Sequence, residues 1–338
     1  AYQTAYMKAN YPAEYICAVL TAESGDVDKI AEIIHESRRM NIPVLPPDVN
    51  ESRGNFAVIK GRDEQDPKSS LMNGQDPPSQ KAMAGQDLPS LETSARRDKI
   101  RFGLYTIKNF GYDIGDGIIE EREKNGRYKS FSDFLERVHH KNLTKKSLEA
   151  LIKTGAMDEL GERGQMLFNM ESALGYNKHV IEMQASDQSS LFGGLDNVSI
   201  PGFQLKESKE ASMDEKLMWE KELLGLYISG HPLDKFRDKI KAKNATIRQL
   251  QEKVREGVTC LVAGTIDDVK EILTKKGDKM AFVRIADHED TLEVVVFPRI
   301  FTEFKEILIP GTCVVIKGKV SKRNDELSII VDSMKKLN

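Results

Sequence analysis

The residues best suited to chemistry in this sequence are ones that bind rather than ones that cleave. The run Ile107-Lys108-Asn109-Phe110-Gly111-Tyr112-Asp113-Ile114 places a tight turn at Gly111 between two helical patterns, the second continuing through Ile118 and Ile119. A hairpin of this kind points the N–H groups of a turn and of a helix N-terminus the same way. That is a cradle for a phosphate oxygen, to which Lys108 adds a charge. No strand precedes the turn, so it is not a dinucleotide fingerprint, and the residues alone fit a structural helix-turn-helix connection equally well. A second candidate hairpin opens at Asn142-Leu143-Thr144. Around it, Arg137, Lys141, Lys145, Lys146 and Lys153 face the single acid Glu149, which suits a phosphate backbone and reads no bases. A solvated helix face would look the same.

Catalytic constellations are missing. The acids Asp267 and Asp268 and the run Asp287-His288-Glu289-Asp290 fall where strands should turn, so solvated turn acids are expected there rather than metal ligands. The pair His139-His140 lacks a partner at ligand spacing, and His231 before Pro232 reads as a helix stop. There is no P-loop and no Gly-x-Ser-x-Gly. We expect no active site, no metal and no cofactor within this sequence.

The elements that must carry these residues follow from periodicity. Residues 1–40 read as two helices separated by the turn Ser24-Gly25-Asp26, with Pro12 ending or kinking the first, and the prolines of 42–47 force an extended chain. Ala1 has neither an initiator Met nor a cap before it, so we expect the chain to open inside a helix as part of something longer. Residues 62–98 are rich in Gln, Asp, Pro, Ser and Gly and hold too few apolar side chains to offset ordering entropy, so a disordered insertion is expected. Short helices at bundle-like spacing fill 99–183. A polar stretch at 184–217 reads as a flexible linker, and 218–257 as a helical connector.

From Val258 the period becomes two. Five strand candidates at 260–266, 280–286, 292–296, 313–320 and 327–331, with a helix near 298–308, give the order of an OB-fold barrel. The fold class is therefore α+β multidomain, a helix-hairpin-helix region followed by a five-stranded barrel. Such barrels bind single strands by stacking and by tracking phosphates. Lys275, Lys276, Lys322 and Arg323 in loops and Arg284 on a central strand are the candidates, whereas Phe282 and Phe297 are expected in the core.

Bulk properties narrow the classes. Lys plus Arg number 50 against 53 acids, a net charge of -3, so nucleic-acid binding cannot rest on a general basic surface. No apolar run approaches the roughly 18 residues of a membrane helix, and no signal peptide is visible. Cys17, Cys260 and Cys313 stand singly among apolar neighbours and read as reduced core residues of a cytoplasmic protein.

Segments along the whole chain except 62–98 resemble the C-terminal part of the alpha subunit of bacterial DNA polymerase III, the replicative C-family polymerases. They are Tyr2-Gln3-Thr4-Ala5-Tyr6-Met7-Lys8, Pro46-Pro47-Asp48-Val49-Asn50, Ile100-Arg101-Phe102-Gly103-Leu104, Leu148-Glu149-Ala150-Leu151-Ile152-Lys153-Thr154-Gly155-Ala156 and Trp219-Glu220-Lys221-Glu222-Leu223-Leu224-Gly225 with Ser229-Gly230-His231-Pro232. The resemblance implies that 1–61 closes a fingers domain and that the tandem hairpins hold the duplex DNA backbone. It also implies that the barrel lies near the single-stranded DNA template. Gln188-Ser189-Ser190-Leu191-Phe192 occupies the place of the family's sliding-clamp motif, in which Gln188 would hydrogen-bond while Leu191 and Phe192 fill the pocket. Other replicase subunits are implied as partners. The palm and its Mg-binding aspartates have no counterpart here and would lie upstream. Asn109-Phe110 stands where the family commonly has Gly-Val. The competing readings are a freestanding OB/helix-hairpin-helix nucleic-acid-binding protein and a metal-dependent nuclease built on Asp287–Asp290.

Overall fold

A computed structural model describes residues 2–61, 98–189, 202–243, 245–253, 256–288, 290–323 and 326–337. They form two units: the first comprises 1–151, 155–161 and 170–204, the second 152–154, 162–169 and 205–338.

In the first unit the N-terminal helical stretch is three helices rather than two. Pro12 ends α1 (Tyr2–Asn10) and starts α2 (Pro12–Ala22), where its missing N–H costs nothing. Asp26 caps α3 (Val27–Arg39) by accepting from the Lys29 N–H. The extended prolines lead into β1 (Val44–Leu45), followed by β2 (Ala57–Ile59) and β3 (Lys99–Arg101). The sheet order is β1-β3-β2, parallel on one side of β3 and antiparallel on the other. Strand β3 has no counterpart in the sequence pattern. Asp98, grouped with the insertion, is buried and accepts from the Gly61 N–H at 3.0 Å. The rest of the expected disordered insertion lies outside the described residues.

The helical core follows with a 3-10 turn at Leu104–Thr106, α4 (Tyr112–Asn125), α5 (Phe131–Arg137), α6 (Lys145–Lys153), α7 (Arg163–Phe168) and α8 (Met170–Ser189). In the first unit Ile107, Ile114, Ile118, Phe134, Leu135 and Leu148 are fully enclosed. The Pro46–Asn50 segment is fastened to these helices through its backbone. Arg122 donates to Val49 O and Ser52 O, and Asn50 exchanges hydrogen bonds with the backbone of Tyr128.

The described ends of the expected linker at 184–217, residues 184–189 and 202–217, are ordered against their neighbours, and the rest lies outside the described residues. Residues up to 189 continue α8, Phe203 packs its ring on Phe131 and Tyr176, and in the second unit Lys206 N and Ala211 N donate to Asn169 and Glu162. Polar side chains here satisfy backbone groups, so low hydrophobicity does not mean a loose chain.

In the second unit Ser212 opens α9 (Met213–Leu224) with a capping box, and Gly225 closes it in the left-handed conformation. A 3-10 turn at Pro232–Phe236, α10 (Arg237–Ala242) and α11 (Ile247–Lys253) lead to the barrel. Its strands are β4 (Thr259–Leu273), β5 (Lys279–Ala286), β6 (Thr291–Val296), β7 (Cys313–Arg323) and β8 (Glu326–Lys336), with α12 (Pro298–Phe304) after the third. The closed order β4-β5-β6-β8-β7, with β6 and β8 parallel, is that of an OB barrel. Alternate residues such as Val262, Val283, Val294, Ile316 and Ile329 fill its interior, and α11 and α12 contribute Leu250 and Phe301. At the Lys317/Gly318 bulge between β7 and β8 the strands approach so closely that a Cβ at Gly318 would lie 2.3 Å from Ile330 O. The three cysteines are free and half-buried rather than core, and burial pushes their thiols up in pKa.

One polar network in this unit is centred on an enclosed ion pair. Arg163, 2 % exposed at its side chain, meets Glu220, 0 % exposed, at 3.1 Å. Arg163 also donates to Lys153 O, and Glu220 accepts from Ile228 N, Ser229 N and the Ser229 hydroxyl. Glu220→Ala strands the guanidinium without its counter-charge and should cost about 3–5 kcal/mol, while Arg163→Met combined with Glu220→Leu should recover most of it. Urea unfolding of both variants checks this.

Candidate nucleic-acid interface

The first hairpin forms as its spacing predicts. Phe110 is buried and its N–H donates to Ile107 O, which folds the chain back and anchors the turn. Asn109 takes φ 68°, the left-handed conformation that glycine adopts freely and asparagine tolerates best among other residues. The Asn109-Phe110 departure from the family pattern therefore leaves the backbone geometry intact. Gly111 precedes α4 and supplies no side-chain cap, so the first-turn N–H groups are left for another acceptor. Lys108, Asn109, Gly111 and Tyr112 are all exposed.

The second hairpin is held by its own hydroxyls. Ser147 Oγ donates to Asn142 O and accepts from Thr144 N, and Thr144 Oγ1 accepts from Ser147 N. The two tips meet: Asn142 Nδ2 donates to Asp113 Oδ2 at 3.4 Å, and the His140 ring lies over Gly117, 3.5 Å from where its Cβ would stand. Asp113 sits in the first turn of α4 and offsets part of that helix terminus's attraction for a phosphate. The positive side of the interface therefore falls on the second hairpin.

Its basic run divides by environment. Lys141 and Lys146 are exposed and, like Lys108, have no ion-pair partner among the described residues. Lys145 pairs with Glu171 at 2.8 Å on the surface, a contact that solvent makes weak and easily exchanged. Arg137 is withdrawn: it binds Glu121, Asp133 and Gly126 O, with its guanidinium 4.6 Å from the Tyr128 ring centroid. Lys153 belongs to the second unit, where its Nζ lies 5.8 Å from the centroid of Trp219. It is half-buried and unsuited to a phosphate.

On the barrel, β4, β5 and β6 form the floor of a cavity of about 500 Å³ lined by Lys270, Phe282, Arg284 and Glu293 among others. The strand register places Asp268, Arg284 and Glu293 in one row and Lys270 and Phe282 beside each other in the next. This is a groove with a ring and mixed charge, not a basic one. Phe282 is half-buried and lines the groove, and Phe297 is 45 % exposed before α12, so neither is the core residue expected. Phe282 shares its strand parity with exposed Arg284, the signal that could have placed it outward. Lys275 and Lys276 are exposed in the β4–β5 turn, and Lys322 is exposed near the end of β7. Of Arg323 only the backbone is described, as is that of Gln188 at the end of α8, and Leu191 and Phe192 lie outside the described residues.

Among the described residues no group of three or more His, Cys, Asp or Glu side chains is placed to hold an ion. Asp287 is not a solvated turn acid but buried, accepting from Ile247 N at 2.8 Å and Asp290 N at 2.9 Å. His288 pairs instead with Asp234 at 2.7 Å, and Asp267 with Lys221 at 2.9 Å. No helix among the described residues is long and apolar enough to cross a membrane.

Comparison with known proteins agrees with this geometry. Residues 41–166 match the helix-hairpin-helix motif family and residues 260–337 the OB-fold nucleic acid binding domain family, which defines a chain made of two nucleic-acid-binding modules. The chain belongs with the DNA polymerase III alpha subunits. It is 34 % identical to that of Borreliella burgdorferi over 99 % of this chain and 26 % of the relative, and 33 % identical to that of Thermus aquaticus over 99 % and 24 %. The Deinococcus radiodurans subunit is 34 % identical over 98 % and 23 %. The chain thus spans about a quarter of the length of these relatives. A solved mitochondrial single-stranded DNA binding protein of S. cerevisiae overlays on 25 % of this chain and 98 % of its own at 15 % identity, with a TM-score of 0.22, too slight a likeness to argue from.

The Asp287 geometry makes a structural prediction. Asp287→Ala orphans the buried Ile247 N–H and the half-buried Asp290 N–H and should lower stability by about 1–3 kcal/mol without altering any nuclease background. Denaturant unfolding beside a plasmid-nicking assay checks both halves.

Proposed function

We propose that this chain is a non-catalytic DNA- and clamp-binding segment of a replicative polymerase. The observation that carries the reading is the meeting of the two hairpin tips at Asp113 and Asn142, with Lys141, Lys145 and Lys146 exposed around an uncapped helix terminus. Backbone N–H groups and a few lysines hold the duplex backbone, which needs no excess of positive charge over the whole chain. The barrel groove, with Phe282 and Arg284, takes single-stranded template, and Lys275, Lys276, Lys322 and Arg323 track its phosphates.

Gln188, Leu191 and Phe192 anchor the segment to the sliding clamp, and further replicase subunits complete the assembly. Nucleotidyl transfer and its Mg ions belong to a catalytic domain of the parent polymerase, in the cytoplasm. The near full-length similarity to polymerase alpha subunits supports this over a freestanding nucleic-acid-binding protein.

Two measurements test the reading. Replacing Lys141, Lys145 and Lys146 by Gln should flatten the dependence of log K on log salt by close to 3, since each phosphate contact contributes about 0.9. Fluorescence anisotropy with a duplex reads the slope, and an unchanged slope refutes the interface. Gln188→Ala with Phe192→Ala should abolish binding to purified clamp in a pull-down while leaving DNA affinity within twofold, and undiminished clamp binding removes that part of the proposal.

A further inference from the structure

An exposed ring stands beside the first hairpin and is held more firmly than a surface tyrosine needs to be. Tyr112 is the first residue of α4 and is 66 % exposed. Its ring rests edge-on against Tyr105, 4.6 Å between centroids at 75°. Tyr105 in turn is fixed from three sides. Its hydroxyl is hydrogen-bonded to Asp116, which pushes its pKa up to about 12. Its ring fills space left by two glycines, because a Cβ on Gly54 would lie 2.2 Å from it and one on Gly115 3.0 Å. Neither Gly54 nor Gly115 has a positive φ, so the space is their evident structural use. The arrangement is a buttress that ends in one solvent-facing aromatic.

The surroundings select what that ring can meet. Asp113 follows it directly and Asp116 lies one turn on, so the helical turn that carries the ring holds two acids and no basic residue, which disfavours a phosphate on the ring itself. The uncharged, flat part of a nucleotide has no such penalty. In a continuous duplex the base faces are covered by their neighbours, and only an unpaired base offers a face to stack on. The lysines Lys141, Lys145 and Lys146 lie on the adjacent hairpin, so the backbone of a duplex can be held there while an unpaired nucleotide reaches the ring.

We propose that Tyr112 is a stacking platform for an unpaired base next to duplex, so that this hairpin pair recognises a junction and not duplex alone. The inference rests on the DNA-binding reading above and adds the form of DNA that the site prefers. A ring fixed before binding loses little freedom when a base settles on it, which is where preorganisation adds affinity.

The test uses the full chain and two fluorescent DNAs of the same duplex sequence, one blunt and one with a short single-stranded overhang carrying 2-aminopurine. Tyr112→Ala should weaken binding to the overhang DNA at least about fivefold, the low end for loss of one aromatic–base stack. It should leave the blunt duplex within twofold. Tyr112→Phe should retain the wild-type preference and the change in 2-aminopurine fluorescence on binding. Thermal unfolding of all three proteins should coincide, because the substituted side chain is exposed. Equal affinity of Tyr112→Ala and wild type for the overhang DNA, or an equal loss on both DNAs, overturns the platform and leaves the lysine interface standing. Absence of any DNA binding by the wild-type chain overturns both.

Discussion

The buried Arg163–Glu220 pair sets the terms for the helical part of the second unit. Two charges removed from water are tolerated only when every remaining donor and acceptor is met. Here the requirement recruits the carbonyl of Lys153, the N–H groups of Ile228 and Ser229 and the Ser229 hydroxyl. Segments distant in sequence are thereby fixed at one point: the end of α6, the start of α7, the middle of α9 and the turn after it. An apolar contact at the same place would hold them together but would accept small slides. A carboxylate that must accept three hydrogen bonds does not. Glu162 repeats the device at the surface, capping α7 while accepting from Ala211 N and pairing with Lys216.

Charge is used locally throughout. A net charge of -3 leaves little long-range field to draw in a polyanion. Two of the five Lys and Arg residues in the run from 137 to 153 are engaged away from solvent, Arg137 by two carboxylates and Lys153 by a ring. What is left is a short array of lysines beside backbone N–H groups, and on the barrel a row in which Arg284 is flanked by Asp268 and Glu293. Such a row sets acids on either side of Arg284 in the strand register. The groove then selects by shape and stacking more than by attraction.

The barrel was readable because its strands alternate against a filled interior, and the turns between them carry Gly and charged residues. The reading fell short where the pattern stops being two-sided. Strand β4 runs on to Leu273, past a bulge at Ile266/Asp268 that changes the parity of the residues beyond it, and there no residue of the strand is fully buried. Strand β3 is three residues long and owes its place to partners more than 50 and about 40 residues away, which no local period reports. Residues 202–212 lack apolar spacing because their ordering is by backbone hydrogen bonds to Asn169 and Glu162. Asp287 misled for a related reason: an acid in a turn is ordinarily solvated, and only the distant Ile247 N–H makes this one buried. Composition and period describe what a segment can do alone, and these are the segments that do not act alone.

The hairpin shows the same division within five residues. Position 109 must be left-handed, position 110 must be apolar to anchor the turn, and position 111 must leave the helix terminus open. These are demands of shape, and Asn109, Phe110 and Gly111 satisfy them. A different residue at 109 or 110 that met the same demands would leave the cradle as it is. Position 112 carries no such demand, since its side chain faces solvent. What stands there is free to set what the hairpin recognises, and in this chain it is a tyrosine supported by Tyr105, which Gly54 from another segment and Gly115 and Asp116 of α4 hold in place. The cost of that support, two glycines and a buried-edge ring, falls on residues that never touch a ligand, and this ties the identity of residue 112 to binding and not to the fold.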